Sequence, residues 1–172
     1  MIDEEIENHP NGIHSVPIAY FYCARDHAEP LRADPDEILR SIARQLSSVG
    51  AEFPIREPAR IKYNEVRDNG FSRRKLSLEK SVQLILSLTN KNPATIVIDA
   101  LDECDPSRRY ELMNGLEEIL HRSANAVKIF VTSRDDGGIV CHLSNSPNLY
   151  IHAQDNREDI DIFIDWKVER AY

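Results

Sequence analysis

The stretch Ala94-Thr-Ile-Val-Ile-Asp-Ala-Leu-Asp-Glu103 constrains this chain more than any other, because an apolar run there delivers three carboxylates to its own carboxyl end. Thr95, Ile96, Val97 and Ile98 are mostly β-branched and follow Pro93. An apolar run without polar alternation is the pattern of a central parallel strand buried on both faces. Asp99 is the first acid to emerge from it. In open α/β sheets the ligand crevice lies at the carboxyl ends of the strands, so Asp99, Asp102 and Glu103 are expected to face it.

Such a strand suits the handling of magnesium beside a nucleotide. Mg²⁺ prefers oxygen ligands and is usually held by one or two carboxylates, waters and phosphates. Asp99 is placed to orient the ion, directly or through a water. Asp102 and Glu103 are within reach to polarise the water that attacks a γ-phosphate; Glu103 is favoured for that role, and Asp102 for an outer metal or loop-positioning role. Spacing alone does not separate the two. A second apolar run, Ile129-Phe-Val-Thr-Ser133, ends in Arg134 at what should be the same sheet edge. A cation there could sense the γ-phosphate or steady its developing charge, with Thr132 and Ser133 hydrogen-bonding the water or the phosphate. The plainer alternatives are a turn and helix cap at Asp102-Glu-Cys-Asp-Pro106, and a surface pairing of Arg134 with Asp135 or Asp136.

The matching phosphate loop, G-x-x-x-x-G-K-[ST], does not occur in these residues: none of the six glycines is followed by lysine. The expectation is therefore a partial nucleotide-binding domain, beginning after its first strand and loop, and unable to hydrolyse a nucleoside triphosphate alone.

At 172 residues and 41% hydrophobic, the chain has enough apolar material for one ordinary core. A net charge of -8 argues against a nucleic-acid partner, and Arg73-Arg74-Lys75 reads as a solvated loop. Three scattered cysteines form neither a disulfide framework nor a zinc motif, and the six histidines show no ligand spacing. No run is long and apolar enough for a membrane span, and the acidic start is not a targeting signal, so the expected location is cytoplasmic.

Along the chain, 1–16 reads as a flexible acidic arm, 17–166 as the partial domain and 167–172 as a tail. Pro17–Cys23 is expected to be a strand with Tyr20, Phe21 and Tyr22 in the sheet core. Asp34-Pro-Asp-Glu37 is a capping box for a helix presenting Ile38, Leu39, Ile42, Leu46 and Val49 and ending at Gly50. Ala51–Leu76 is a long excursion with one short helix. Ser77 caps a helix reaching Thr89. Asp105-Pro106 opens a helix whose Leu112, Leu116, Ile119 and Leu120 share a face. Val127–Ser133 is a strand, Ile139–Leu143 a helical turn and Pro147–Ile151 a brief strand. Asp155-Asn-Arg-Glu158 caps a last helix with Ile160, Phe163, Ile164 and Trp166, although Ile160, Ile162 and Ile164 also alternate as in a strand. Strands alternating with helices indicate an α/β fold with a mostly parallel sheet flanked by helices.

Thr95–Cys104 together with Lys128-Ile-Phe-Val-Thr-Ser-Arg-Asp135 resembles the NACHT domains of STAND-class P-loop NTPases. More narrowly, these motifs with Ile18–Cys23, Ala33–Ile42 and Ser144–Asn148 resemble the nephrocystin-like N-terminal domain of fungal NACHT proteins, often found ahead of ankyrin repeats. The resemblance implies a Walker B segment ending in Asp99, an acidic extension at Asp102 and Glu103, a sensor-like Arg134, and Mg²⁺ with ATP or GTP in the intact domain. It implies a switch in which nucleotide binding promotes assembly, with homologous NACHT proteins, the protein's own missing domains or a homo-oligomer as partners. The Walker A loop expected before Ile18 is not in these residues. Two rival readings stand beside this one: a non-catalytic interaction module docking onto a full-length homologue, and a phosphohydrolase or nuclease using Asp99, Asp102 and Glu103 as a metal cluster.

Overall fold

The computed structural model describes residues 16–48, 54–68, 75–152, 154–155 and 157–169. The chain divides into two compact units, Met1–Asp136 and Gly137–Tyr172. The first is mixed α/β. In chain order it contains β1 (Ile18–Tyr22), α1 (Pro35–Ser47), α2 (Glu57–Asp68), α3 (Leu78–Thr89), β2 (Ala94–Asp99), α4 (Arg109–Arg122) and β3 (Val127–Val131). Single 3-10 turns occupy Pro30–Ala33 and Leu101–Glu103.

The helices begin where side chains satisfy backbone amides that have no partner within the helix. Asp34 accepts from the Asp36 N–H at 3.1 Å with Pro35 at the first helical position, and Ser77 accepts from the Lys80 N–H at 3.4 Å. The expected capping box is only half formed, since the Glu37 carboxylate turns to Arg40 and Lys75 instead. Ile38, Leu39, Ile42 and Leu46 of α1 are fully buried, as are Val82 and Ile85 of α3; Val49 and Gly50 lie outside the described residues. The excursion after α1 contains a twelve-residue helix, α2, rather than a short one. Its inward face is only half-buried at Ala59, Lys62 and Val66, too weak a stripe to register as periodicity.

α4 starts later than the Asp105-Pro106 signal suggests. Asp105 instead closes a turn, its carboxylate accepting from the Ser107 N–H and hydroxyl and its carbonyl from the Arg108 and Arg109 amides. Leu112, Leu116 and Ile119 are buried, whereas Leu120 is exposed. Gly115 lets α4 approach the neighbouring helices closely: a Cβ there would stand 3.2 Å from Val82 Cγ2 and 3.3 Å from Leu39 Cδ1.

The three strands form one parallel sheet in the order β1-β2-β3, with Tyr20 beside Val97 and Val97 beside Phe130. This is the arrangement of a partial P-loop-like fold. Strand order advances in one direction only, so right-handed crossovers place the connecting helices on a single face. Ala19, Ile96 and Ile98 are accordingly buried beneath α1, α3 and α4. On the other face Ile18, Tyr20, Tyr22 and Phe130 are all more than half exposed. Two expectations are thereby corrected. β2 is not fully covered on both faces, since Thr95, Val97 and Asp99 are half-buried, and Tyr20 and Tyr22 stand outside the core.

The second unit contains α5 (Gly137–His142) and α6 (Arg157–Glu169). α6 is helical, which decides against the alternating-strand reading. The expected strand at Pro147–Ile151 is not formed: Leu149, Tyr150 and Ile151 are exposed, and among the described residues no strand lies beside them with which to pair.

Candidate functional site

The carboxyl ends of β2 and β3 carry the acids and the arginine singled out by the sequence. β2 ends at Asp99, and Ala100 then turns the chain sharply, with φ 55 and ψ 52 in the left-handed region. Thr132 fixes that turn from the neighbouring strand: its hydroxyl accepts from the Ala100 N–H at 3.0 Å and its carbonyl from the Leu101 N–H at 2.9 Å. The same hydroxyl donates to Asp99 Oδ1. Leu101 and Cys104 are fully buried and anchor the turn, leaving Asp102 and Glu103 between them at its surface.

Arg134 closes onto these two acids. Its backbone N–H donates to Asp102 Oδ1 at 3.0 Å, its Nε to Asp102 Oδ2 at 2.6 Å and its Nη2 to Glu103 Oε1. Arg134 therefore pairs with the acidic turn, and the surface pairing with Asp135 or Asp136 is not the arrangement found. Burial pushes the Asp102 carboxyl up, but the Arg134 backbone amide, guanidinium hydrogen bond and charge outweigh it and hold the group below the usual carboxylate range. The Arg134 side chain is 76% exposed against 11% for Asp102, so the arginine is the accessible member. Ser133 is turned away, its hydroxyl donating to the Arg134 carbonyl at 2.6 Å.

Two groups thus result: Asp99 with Thr132, and Asp102 and Glu103 with Arg134. Among the described residues no set of three or more His, Cys, Asp and Glu is placed to hold a metal ion. Asp99 is the acid that no arginine engages: one oxygen is held by Thr132 and the other has no hydrogen-bond partner among the described residues, so it could offer that oxygen to Mg²⁺. Asp102 and Glu103 are committed to the arginine. Cys104 is fully buried, and burial pushes its thiol up to about 11, which disfavours the thiolate that a nucleophile needs.

Two further arginines support the site and went unnoticed in the sequence. Arg25, just beyond β1, donates from Nη2 to the carbonyls of Asp102 at 2.8 Å and Cys104 at 3.2 Å. Arg109 donates from Nη1 to the Asp102 carbonyl at 3.3 Å and from Nη2 to Asp136 Oδ2 at 2.9 Å. It opens α4, where a cation opposes the helix dipole, so a compensating contact is required.

A family model described as nephrocystin 3, N-terminal, matches residues 1–134. No curated protein and no solved structure matches the chain.

Proposed function

Because this chain belongs to the nephrocystin 3 N-terminal family, we propose that it is part of a NACHT-type, nucleotide-dependent signalling switch of the STAND class, with β2 as its Walker B strand. The observation that carries the reading is the convergence of Asp99, Thr132 and the Arg134 ion pairs at the carboxyl ends of two adjacent parallel strands. The proposed ligand is Mg²⁺ with ATP or GTP; the ion supplies charge neutralisation at the phosphates when bound. Asp99 offers its unpartnered oxygen to the ion, and Thr132 fixes the carboxylate's orientation. Arg134, exposed and held by carboxylates, is able to exchange them for a phosphate. Glu103, once released, is free to orient a water and take its proton. The fungal, repeat-bearing and cytoplasmic setting belongs to the same proposal.

The test is titration of the purified chain with a fluorescent ATP or GTP analogue, with and without Mg²⁺. Binding that requires Mg²⁺ and weakens at least about tenfold in Asp99→Asn, about 1.4 kcal/mol, is expected. Binding indifferent to both sinks the reading. No turnover is expected from these residues alone, which hold no glycine-rich loop with its lysine; turnover abolished by Asp99→Ala would overturn that expectation.

One observation favours the reading as a docking module. Ile18, Tyr20, Tyr22 and Phe130 on one sheet face are more than half exposed, and buried parallel sheets are normally covered on both sides. Co-purification with a full-length homologue would support that reading, and a stable monomer in its presence would count against it.

A further inference from the structure

Two arginines join the loop after β2 to the loop after β3, and they differ in kind. Arg134 reaches from the β3 loop to the side chains of Asp102 and Glu103, with its own side chain 76% exposed. Arg109 is 9% exposed and reaches from α4 to the backbone of the acidic turn and to Asp136 in the β3 loop. A guanidinium so buried must have its N–H groups satisfied, which makes its geometry expensive to change. Its planar fork suits two acceptors in different directions, where a lysine ammonium presents a single point charge.

We infer that Arg109 is a positioning residue. It fixes the distance between the two loops, so that Asp102, Glu103 and the Arg134 backbone keep their places when the Arg134 guanidinium leaves the carboxylates for a phosphate. Without such a brace, the departure of the Arg134 guanidinium would leave the hydrogen bond from the Arg134 N–H to Asp102 Oδ1 to hold the acidic turn to residues 133–136, and ligand binding would have to reorder more of both. Arg25 assists from the β1 side, gripping the carbonyls of Asp102 and Cys104, but it is exposed and makes no hydrogen bond to the β3 loop among the described residues. The inference rests on the nucleotide reading for its purpose, although the brace itself does not.

The experiment compares wild type with Arg109→Lys and Arg109→Met in two measurements. The first is amide hydrogen exchange at 100–104 and 132–136 against exchange at Ile96 and Ile98. Exchange in both loops is expected to rise at least about tenfold in both variants, with β2 unchanged. The second is affinity for the Mg²⁺-bound fluorescent ATP analogue at a temperature where every variant is folded, expected to fall about tenfold. Arg134→Gln is expected to leave the exchange of 101–104 within about threefold of wild type. Loop exchange that stays at the wild-type rate, or that rises only together with that of β2, overturns the inference, since the latter outcome describes general loosening. If wild type binds no nucleotide, the nucleotide reading falls while the exchange comparison still decides whether Arg109 is the brace.

Discussion

Ala100 carries backbone strain where the chain leaves β2. Its φ of 55 lies in the left-handed region, which costs a residue with a Cβ about 1–2 kcal/mol. The conformation persists because Thr132 takes the amides of Ala100 and Leu101, and Leu101 is buried directly behind it. Ala100→Gly removes the steric cost and adds unfolded-state entropy, and it is expected to raise stability by about 0.5–1 kcal/mol in urea denaturation. A loss of stability would mean that the turn is not strained. Neither this strain nor the brace at Arg109 was legible in the sequence, because both depend on what a residue from another element presents. Asp99, Asp102, Glu103 and Arg134 were legible because an apolar run ends immediately before each cluster.

Elements are tied together by ions as well as by their apolar stripes. Arg108, at the start of α4, pairs with Asp34 at 2.9 Å, Asp36 at 2.7 Å and Glu111 at 2.8 Å, and Asp36 also accepts the Leu78 N–H that opens α3 at 2.6 Å. Burial pushes the Asp36 carboxyl up, but the Arg108 hydrogen bond, the Leu78 amide and the charges on Arg108 and Arg40 outweigh it, so its affinity for a proton is lowered. The Arg40 hydrogen bond lowers Glu37 more than burial raises it, and Lys75 adds to the lowering. Carboxyls depressed on folding stabilise the fold above their unfolded values of about 4, and the benefit disappears as pH falls through the lower folded values. Thermal melts of wild type are therefore expected to hold steady above about pH 5 and to fall below about pH 4. In Arg108→Ala that acid slope is expected to be shallower, with about 1 kcal/mol lost at neutral pH because the network is partly exposed. α1 and α3 were readable because a cap and a complete stripe coincide in each. Pro147–Ile151 was misread because strand composition says nothing about whether a neighbouring strand exists, and α2 was underestimated because it has little buried surface to pattern.

Across the α/β unit as a whole, a one-way strand order commits every crossover helix to the same side. Phe130, Tyr20 and Tyr22 consequently form an aromatic surface, with the two tyrosine rings 5.6 Å apart edge to face. An exposed patch of this kind binds apolar probes and promotes association. Phe130→Ser is expected to cut anilinonaphthalene sulfonate fluorescence by about half while changing stability by less than about 1 kcal/mol, since little burial is lost. An unchanged signal with a large loss of stability would show that the face is covered in solution.

The sheet register also sets an order of events during folding. Ala94 finds Val127 across a single helix, whereas Ile18 must find Thr95 across three, a loop more than twice as long. Closure entropy rises by about 0.6 kcal/mol for each doubling of loop length, and long-range pairings are slower to form. β2, α4 and β3 are thus expected to pair first and bring the acidic turn against Thr132, with β1 docking afterwards. On that order the Arg25 grip on the turn would come last, onto a structure whose other ties are already made.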